Sequence, residues 1–177
     1  CLHIRSAYKK STKSQIIAAV LYNVATVYKA MGMTEEALAI YLKVLSYERQ
    51  SLKEGEGSNE PKDLIHTLKH LFQLYADKDQ SSQKDGLKYL EEAVEVCRQY
   101  RDKIDDSLGR STFFMLGEYL TLNQELNKGF NYYCEGCQLF GEVDDDTIYA
   151  AGENGLRILL AQLCSDERVF PLLLRRS

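Results

Sequence analysis

Proline is scarce in this sequence, with two in 177 residues, beside 11 glycines. All-β sandwiches and barrels need many turns, usually marked by Gly and Pro, so the scarcity argues against them and favours long helices. Basic charge is not in excess either. Lys and Arg number 22 against 26 Asp and Glu, a net charge of −4. Phosphate binding needs a basic footprint, so nucleic acid is not an expected partner. Long hydrophobic runs are also missing. Stretches such as residues 16–21 and 158–161 fall well short of the ~20 residues that span a bilayer, so no membrane insertion is expected. Residues 1–14 carry Arg5, Lys9, Lys10 and Lys13, but no apolar run with a small-residue cleavage site follows them, and no signal peptide is expected.

The five cysteines, Cys1, Cys97, Cys134, Cys137 and Cys164, are odd in number and scattered. A secreted disulfide scaffold would be shorter and evenly paired, so a reducing, cytoplasmic compartment is the expectation. The apolar fraction of 45% is ordinary for a globular chain, and the length allows one compact domain or a short repeat array. Beginning with Cys1 rather than Met, the sequence reads as an excerpt of a longer protein.

What is present is internal repetition. The segment LYNVATVYKAMGMTEEALAIYLKVL places Leu21, Val24, Ala25 and Tyr28 on one helical face, the apolar stripe of a 3.6-residue period. Gly32 stops that helix. Thr34, followed by Glu35 and Glu36, supplies an N-cap and an acidic first turn for a second helix carrying Ala37, Tyr41, Val44 and Leu45. The pattern returns as Leu68, Leu71, Phe72 and Tyr75, then Gly86, Leu90, Ala93 and Val94. It returns again as Phe113, Leu116, Gly117 and Leu120, then Gly129, Tyr133, Gly136 and Cys137. A fourth copy opens at Leu156, Leu159, Leu160 and Leu163, and CLHIR at residues 1–5 matches the end of a second helix. Corresponding residues Cys1, Val44, Ala93 and Gly136 are separated by 43, 49 and 43 positions.

The predicted organisation is therefore the end of one repeat at 1–13, repeats at 14–53, 62–103 and 106–142, and an incomplete copy at 143–177. Residues 54–63, with Gly55, Gly57 and Pro61, read as an exposed linker, and residues 142–147 as an acidic approach to the next helix.

These residues resemble the tetratricopeptide-repeat family, whose signature pairs Leu-Gly or Leu-Ala, an aromatic three residues later, then Ala, an aromatic and Ala on the second helix. Val24-Ala25-Tyr28-Gly32-Ala37-Tyr41 carries the likeness most closely, followed by Leu116-Gly117 and Gly129-Tyr133-Gly136. The spacing exceeds the family's usual ~34 residues and is similar to the long repeats of kinesin light chains and their relatives, whose core LYNVATVY also resembles. Lys69-His70 and Phe114-Met115 depart from the paired Asn of that subgroup. The resemblance implies an all-α, right-handed superhelix of hairpins whose first helices line a concave groove.

Residues flanking the stripe on those first helices are the groove candidates: Tyr22, Asn23, Thr26 and Lys29; His66, Lys69, His70 and Gln73; Phe114, Met115 and Glu118. Asn23 matches the position where relatives hold a ligand's backbone, since an amide both donates and accepts. Lys69 with the two histidines would attract an acidic peptide or a C-terminal carboxylate, and Phe114 with Met115 would offer an apolar pocket. The implied function is a non-catalytic scaffold or adaptor taking an extended peptide. A flanking segment of the same protein is a second candidate occupant. A structural array segment binding through its convex face or edges, or a regulatory arm of an enzyme, is the alternative.

Chemistry is not expected. Cys134 and Cys137 have CxxC spacing, but a zinc site needs two further ligands, and Cys137 falls in a packing column with Leu45 and Val94. His66 and His70 stand one turn apart with Thr67, not Glu, after the first, which is no zincin helix. Gly55-Glu56-Gly57 lacks the Lys-Ser/Thr ending of a phosphate loop, and no nucleophile elbow occurs. No metal, cofactor or catalytic residue is assigned.

Overall fold

A computed structural model of the chain describes residues 2–54, 61–78 and 80–141, with side chains described at 15–53, 61–78 and 82–141. All regular structure among these residues is helical. Two compact units divide the chain, Cys1–Ile104 and Asp105–Ser177. The first holds α1 (Leu2–Ala30), α2 (Thr34–Glu54), α3 (Pro61–Ala76), α4 (Gln80–Gln99) and a 3₁₀ turn at Arg101–Lys103. The second holds α5 (Asp106–Leu122) and α6 (Leu126–Phe140).

Three helical hairpins result: α1 packs on α2, α3 on α4, and α5 on α6, while α2 also packs on α3. Three expectations are corrected. No break separates residues 13 and 14, because α1 is one helix from Leu2 to Ala30; nothing between Ser6 and Ser14 is Gly or Pro, so no residue there stops a helix. Pro61, expected in a linker, is the first residue of α3 and is buried, where its missing N–H costs nothing. Thr34 is the first residue of α2 and not its cap, since the Ala37 N–H already bonds the Met33 carbonyl at 3.0 Å. The linker at 55–60 and the incomplete copy at 143–177 lie outside the described residues.

The turns of the first and third hairpins agree bond for bond. After α1, the Met33 N–H reaches back to the Tyr28 carbonyl at 2.9 Å and the Gly32 N–H to the Lys29 carbonyl at 3.0 Å. After α5, the Glu125 N–H reaches the Leu120 carbonyl at 2.9 Å and the Gln124 N–H that of Thr121 at 3.1 Å. This pair of bonds closes a helix through one left-handed residue. Gly32 holds it at φ +74° and Gln124 at φ +67°. The same turn thus closes the first helix of one hairpin in each unit.

Close approach between paired helices depends on small residues. Ala25 and Ala37 are fully buried between α1 and α2. Gly117 and Gly129 hold the matching places between α5 and α6, and a Cβ on Gly129 would stand 2.7 Å from the Gly117 carbonyl. Tyr41 and Tyr133 fill the space beside them, both buried. Hairpin two uses Gly86, where a Cβ would meet that of Tyr75 at 2.6 Å.

Charged ties join α2 to the second hairpin. Arg49 donates two hydrogen bonds to the Glu92 carboxylate of α4, and Lys78, after α3, pairs with Glu35. One apolar face is left open: Ile16, Val20, Val24 and Val27 along α1, with Met31 in the turn after it, form an exposed stripe. Val24, expected in the packing stripe, belongs to this second face. The corresponding α3 residues, Thr67, Leu71 and Leu74, are buried.

Candidate functional site

In the first unit α1 and α3, the first helices of two hairpins, share a polar face over α2. Of the eight sequence candidates on these helices, five join one hydrogen-bonded network. The Lys29 ammonium on α1 donates to Nδ1 of His70 on α3 at 3.0 Å and to the Gln73 side-chain carbonyl at 2.6 Å. An ammonium has only donors, so Nδ1 accepts and the ring proton sits on Nε2. From there it is donated to the Tyr22 hydroxyl at 3.0 Å. Thr26 donates to the Tyr22 carbonyl at 3.0 Å. Its single proton is then committed, and the Tyr41 hydroxyl, also 3.0 Å away, donates to Thr26.

Ring contacts reinforce these bonds. The His70 ring stacks on Tyr41 with centroids 5.2 Å apart, and Tyr22 meets Tyr41 edge-on at 5.7 Å. Burial and the neighbouring Lys29 charge push the His70 pKa down to about 4. The imidazole is therefore neutral at pH 7 and brings no positive charge to an acidic ligand. Burial lowers the Lys29 pKa, with Asp77 opposing.

Beyond Tyr22, toward the start of α3, lies a cavity of about 230 Å3. Gln15, Ala18, Ala19, Tyr22 and Asn23 line it from α1, Glu48 from α2, and Asp63 and His66 from α3. Ala19, Asn23, Asp63 and His66 are exposed, so the cavity opens to solvent. Asn23 and His66 are the sequence candidates on its rim; Lys69 is half-buried one turn along α3 from His66.

Glu48 is the unforeseen member. It is only 5% exposed. One carboxyl oxygen accepts from the Thr67 hydroxyl at 3.1 Å, while the other, Oε2, has no hydrogen-bond partner. Burial raises its pKa to about 7, the Thr67 bond opposes that rise, and the Asp63 charge adds to it. The Gln15 amide nitrogen is likewise unpartnered and buried. Burial, then Tyr41, Glu48 and Asp63, push the Tyr22 hydroxyl up to about 12. A buried polar atom without a partner costs ~1–3 kcal/mol, and both of these belong to residues that line the cavity. The sequence held a signal for Glu48: it continues the stripe of Tyr41 and Leu45 at helical spacing.

The remaining candidates belong to the second unit. Phe114 is 3% exposed and packs on Tyr133 with centroids 4.8 Å apart, so it lies in the hairpin core. Met115 and Glu118 on α5 are half-buried, and burial raises the Glu118 pKa. Cys134 and Cys137 are not joined as a disulfide, and burial raises the Cys134 pKa, which keeps it a poor nucleophile. Among the described residues no three His, Cys, Asp or Glu side chains converge as metal ligands, and no helix is long and apolar enough to cross a membrane. Compared with protein-family models, curated proteins and solved structures, the chain matches none.

Proposed function

We propose that the chain is a tetratricopeptide-like repeat segment, wound as a right-handed superhelix, whose α1–α3 face binds an extended peptide without chemistry on it. The observation that carries this reading is the cavity of about 230 Å3 on that face, with the exposed Asn23 amide on its rim. An amide that both donates and accepts can hold a peptide backbone whatever its side chains. Lys69, one turn along α3 from His66 on the rim, supplies positive charge beside the cavity, which suits an acidic residue in the peptide. On this reading the chain serves as a cytoplasmic scaffold or adaptor. The test is a fluorescent peptide selected from a random extended library. Asn23→Ala and Lys69→Ala should each weaken it at least fivefold with helicity unchanged; unaltered affinity in both overturns the groove.

A second reading has its own observation. The exposed stripe from Ile16 to Met31 stands where α3 buries Thr67, Leu71 and Leu74. This favours a segment of a larger array, joined to a further helix through that edge. Val20→Ser with Val27→Ser should then abolish partner capture while leaving peptide affinity intact.

A further inference from the structure

The shared turn sets the first and third hairpins in register, and in that register Ala18 corresponds to Arg110 and Glu48 to Phe140. In the second unit the Arg110 side chain is 7% exposed and donates from its guanidinium to the Phe140 carbonyl. Helix α6 ends at Phe140, so that carbonyl has no helical donor and takes the guanidinium instead. In the first unit α2 runs on to Glu54, which occupies the backbone carbonyl of residue 48. The acceptor offered at this level is the Glu48 carboxyl, with one oxygen unpartnered. Opposite it stands Ala18, with no side chain beyond Cβ. The third hairpin supplies its own guanidinium to this position; the first leaves a cavity.

We propose that the cavity between α1, α2 and α3 receives an arginine side chain of the bound peptide, its guanidinium taken by Glu48. The proposal rests on the peptide reading of this face and names the residue that the peptide presents. At about 230 Å3 the cavity is several times the ~30 Å3 share of one water, enough for the planar head group. Ala18 and Ala19 leave apolar wall for the stem. The fork of five donors answers the Glu48 Oε2, and Asp63 on the rim adds a second carboxylate. The partnerless Gln15 amide nitrogen faces a need for an acceptor, which the peptide's own carbonyl meets. An anion would meet two carboxyls, and an apolar group would leave Glu48 and Gln15 unsatisfied.

The test titrates N-acetyl-arginine amide, N-acetyl-lysine amide and the neutral isostere N-acetyl-citrulline amide into the full chain, following the Gln15 and Asn23 side-chain amides by NMR. Saturable binding of the arginine probe is expected, at least tenfold tighter than citrulline. Glu48→Gln, which keeps an acceptor for Thr67, should lose that preference, and Asp63→Asn should weaken it about threefold. Ala18→Arg should fold and block the cavity with its own guanidinium. Equal binding of arginine and citrulline, a preference for lysine, or a preference surviving Glu48→Gln overturns the proposal; so does the absence of any saturable shift, which would mean a cavity holding water only. A library peptide that loses affinity in Asn23→Ala but not in Glu48→Gln overturns the arginine assignment and leaves the groove standing. Arginine capture lost in Glu48→Gln, with no peptide binding more tightly than the single capped residue, supports the cavity and overturns the groove.

Discussion

Gly32 and Gln124 hold the same place in two copies of one turn, at φ +74° and +67°. A left-handed backbone suits glycine and costs a residue with a Cβ ~1–2 kcal/mol. Gln124→Gly should therefore raise stability by about 0.5–1 kcal/mol, read as a higher urea midpoint with unchanged slope. Gly32→Ala should lower it by a similar amount. A midpoint unmoved by Gln124→Gly would contradict the shared turn.

Gly129 permits the contact between α5 and α6. Its Cβ would lie 2.4 Å from the Thr121 hydroxyl oxygen and 2.7 Å from the Gly117 carbonyl, and backbone cannot step aside cheaply. Gly129→Ala should cost about 1–3 kcal/mol. Thermal unfolding followed by circular dichroism checks it; an unchanged melting temperature would mean the helices pack elsewhere.

Glu48 and His70 give the first unit opposing responses to pH. For Glu48 the folded pKa is raised from 4.5 to about 7. The folded state binds more protons in that window, and stability falls across it as pH rises, by up to about 3 kcal/mol. For His70 the folded pKa is lowered from 6.5 to about 4. Here the unfolded state binds more protons, so stability falls as pH drops from 6.5 toward 4. The two slopes offset each other in the wild type. Wild-type stability minus that of Glu48→Gln should decline between pH 4.5 and 7, and wild-type minus His70→Gln should rise between pH 4 and 6.5. Urea titrations across this range measure both differences, and flat curves would contradict the burial of these groups.

Arg49 and Glu92 tie α2 to α4 with two parallel hydrogen bonds, yet both side chains remain substantially solvated. A double-mutant cycle with Arg49→Ala and Glu92→Ala should give a coupling below about 1 kcal/mol that shrinks further in salt. A coupling of several kcal/mol would show that this pair, more than apolar packing, holds the two hairpins together.

The hairpins were legible in the sequence because their signals are local. Gly32, the small pairs Ala25 with Ala37 and Gly117 with Gly129, and the tyrosines beside them follow from helical spacing and close approach. The unbroken α1 was less legible, since a repeat boundary inferred from spacing needs a breaker, and residues 6–14 contain none. Asn23 and His66 were readable as flanking residues of first helices and do stand on the cavity rim. Lys29, His70 and Gln73 were read as ligand-facing, whereas they bond across α1 and α3. Pairing between helices more than forty residues apart leaves no mark on the period of either one. Phe114 was misplaced for a related reason: two adjacent phenylalanines on one helix do not say how wide the buried face is. Glu48 was missed although it continues a buried stripe, because a charged side chain there becomes buried only once α3 and Thr67 close over it.

The central claim is that the α1–α3 face of the first unit binds peptide through its cavity. Binding of one library-selected arginine-containing peptide to the wild type and to Asn23→Ala, Glu48→Gln and Ala18→Arg, with circular dichroism on each, tests it most directly. The account predicts saturable binding to the wild type and at least fivefold weaker binding to every variant, all of them helical. Equal affinity across the four proteins would contradict it.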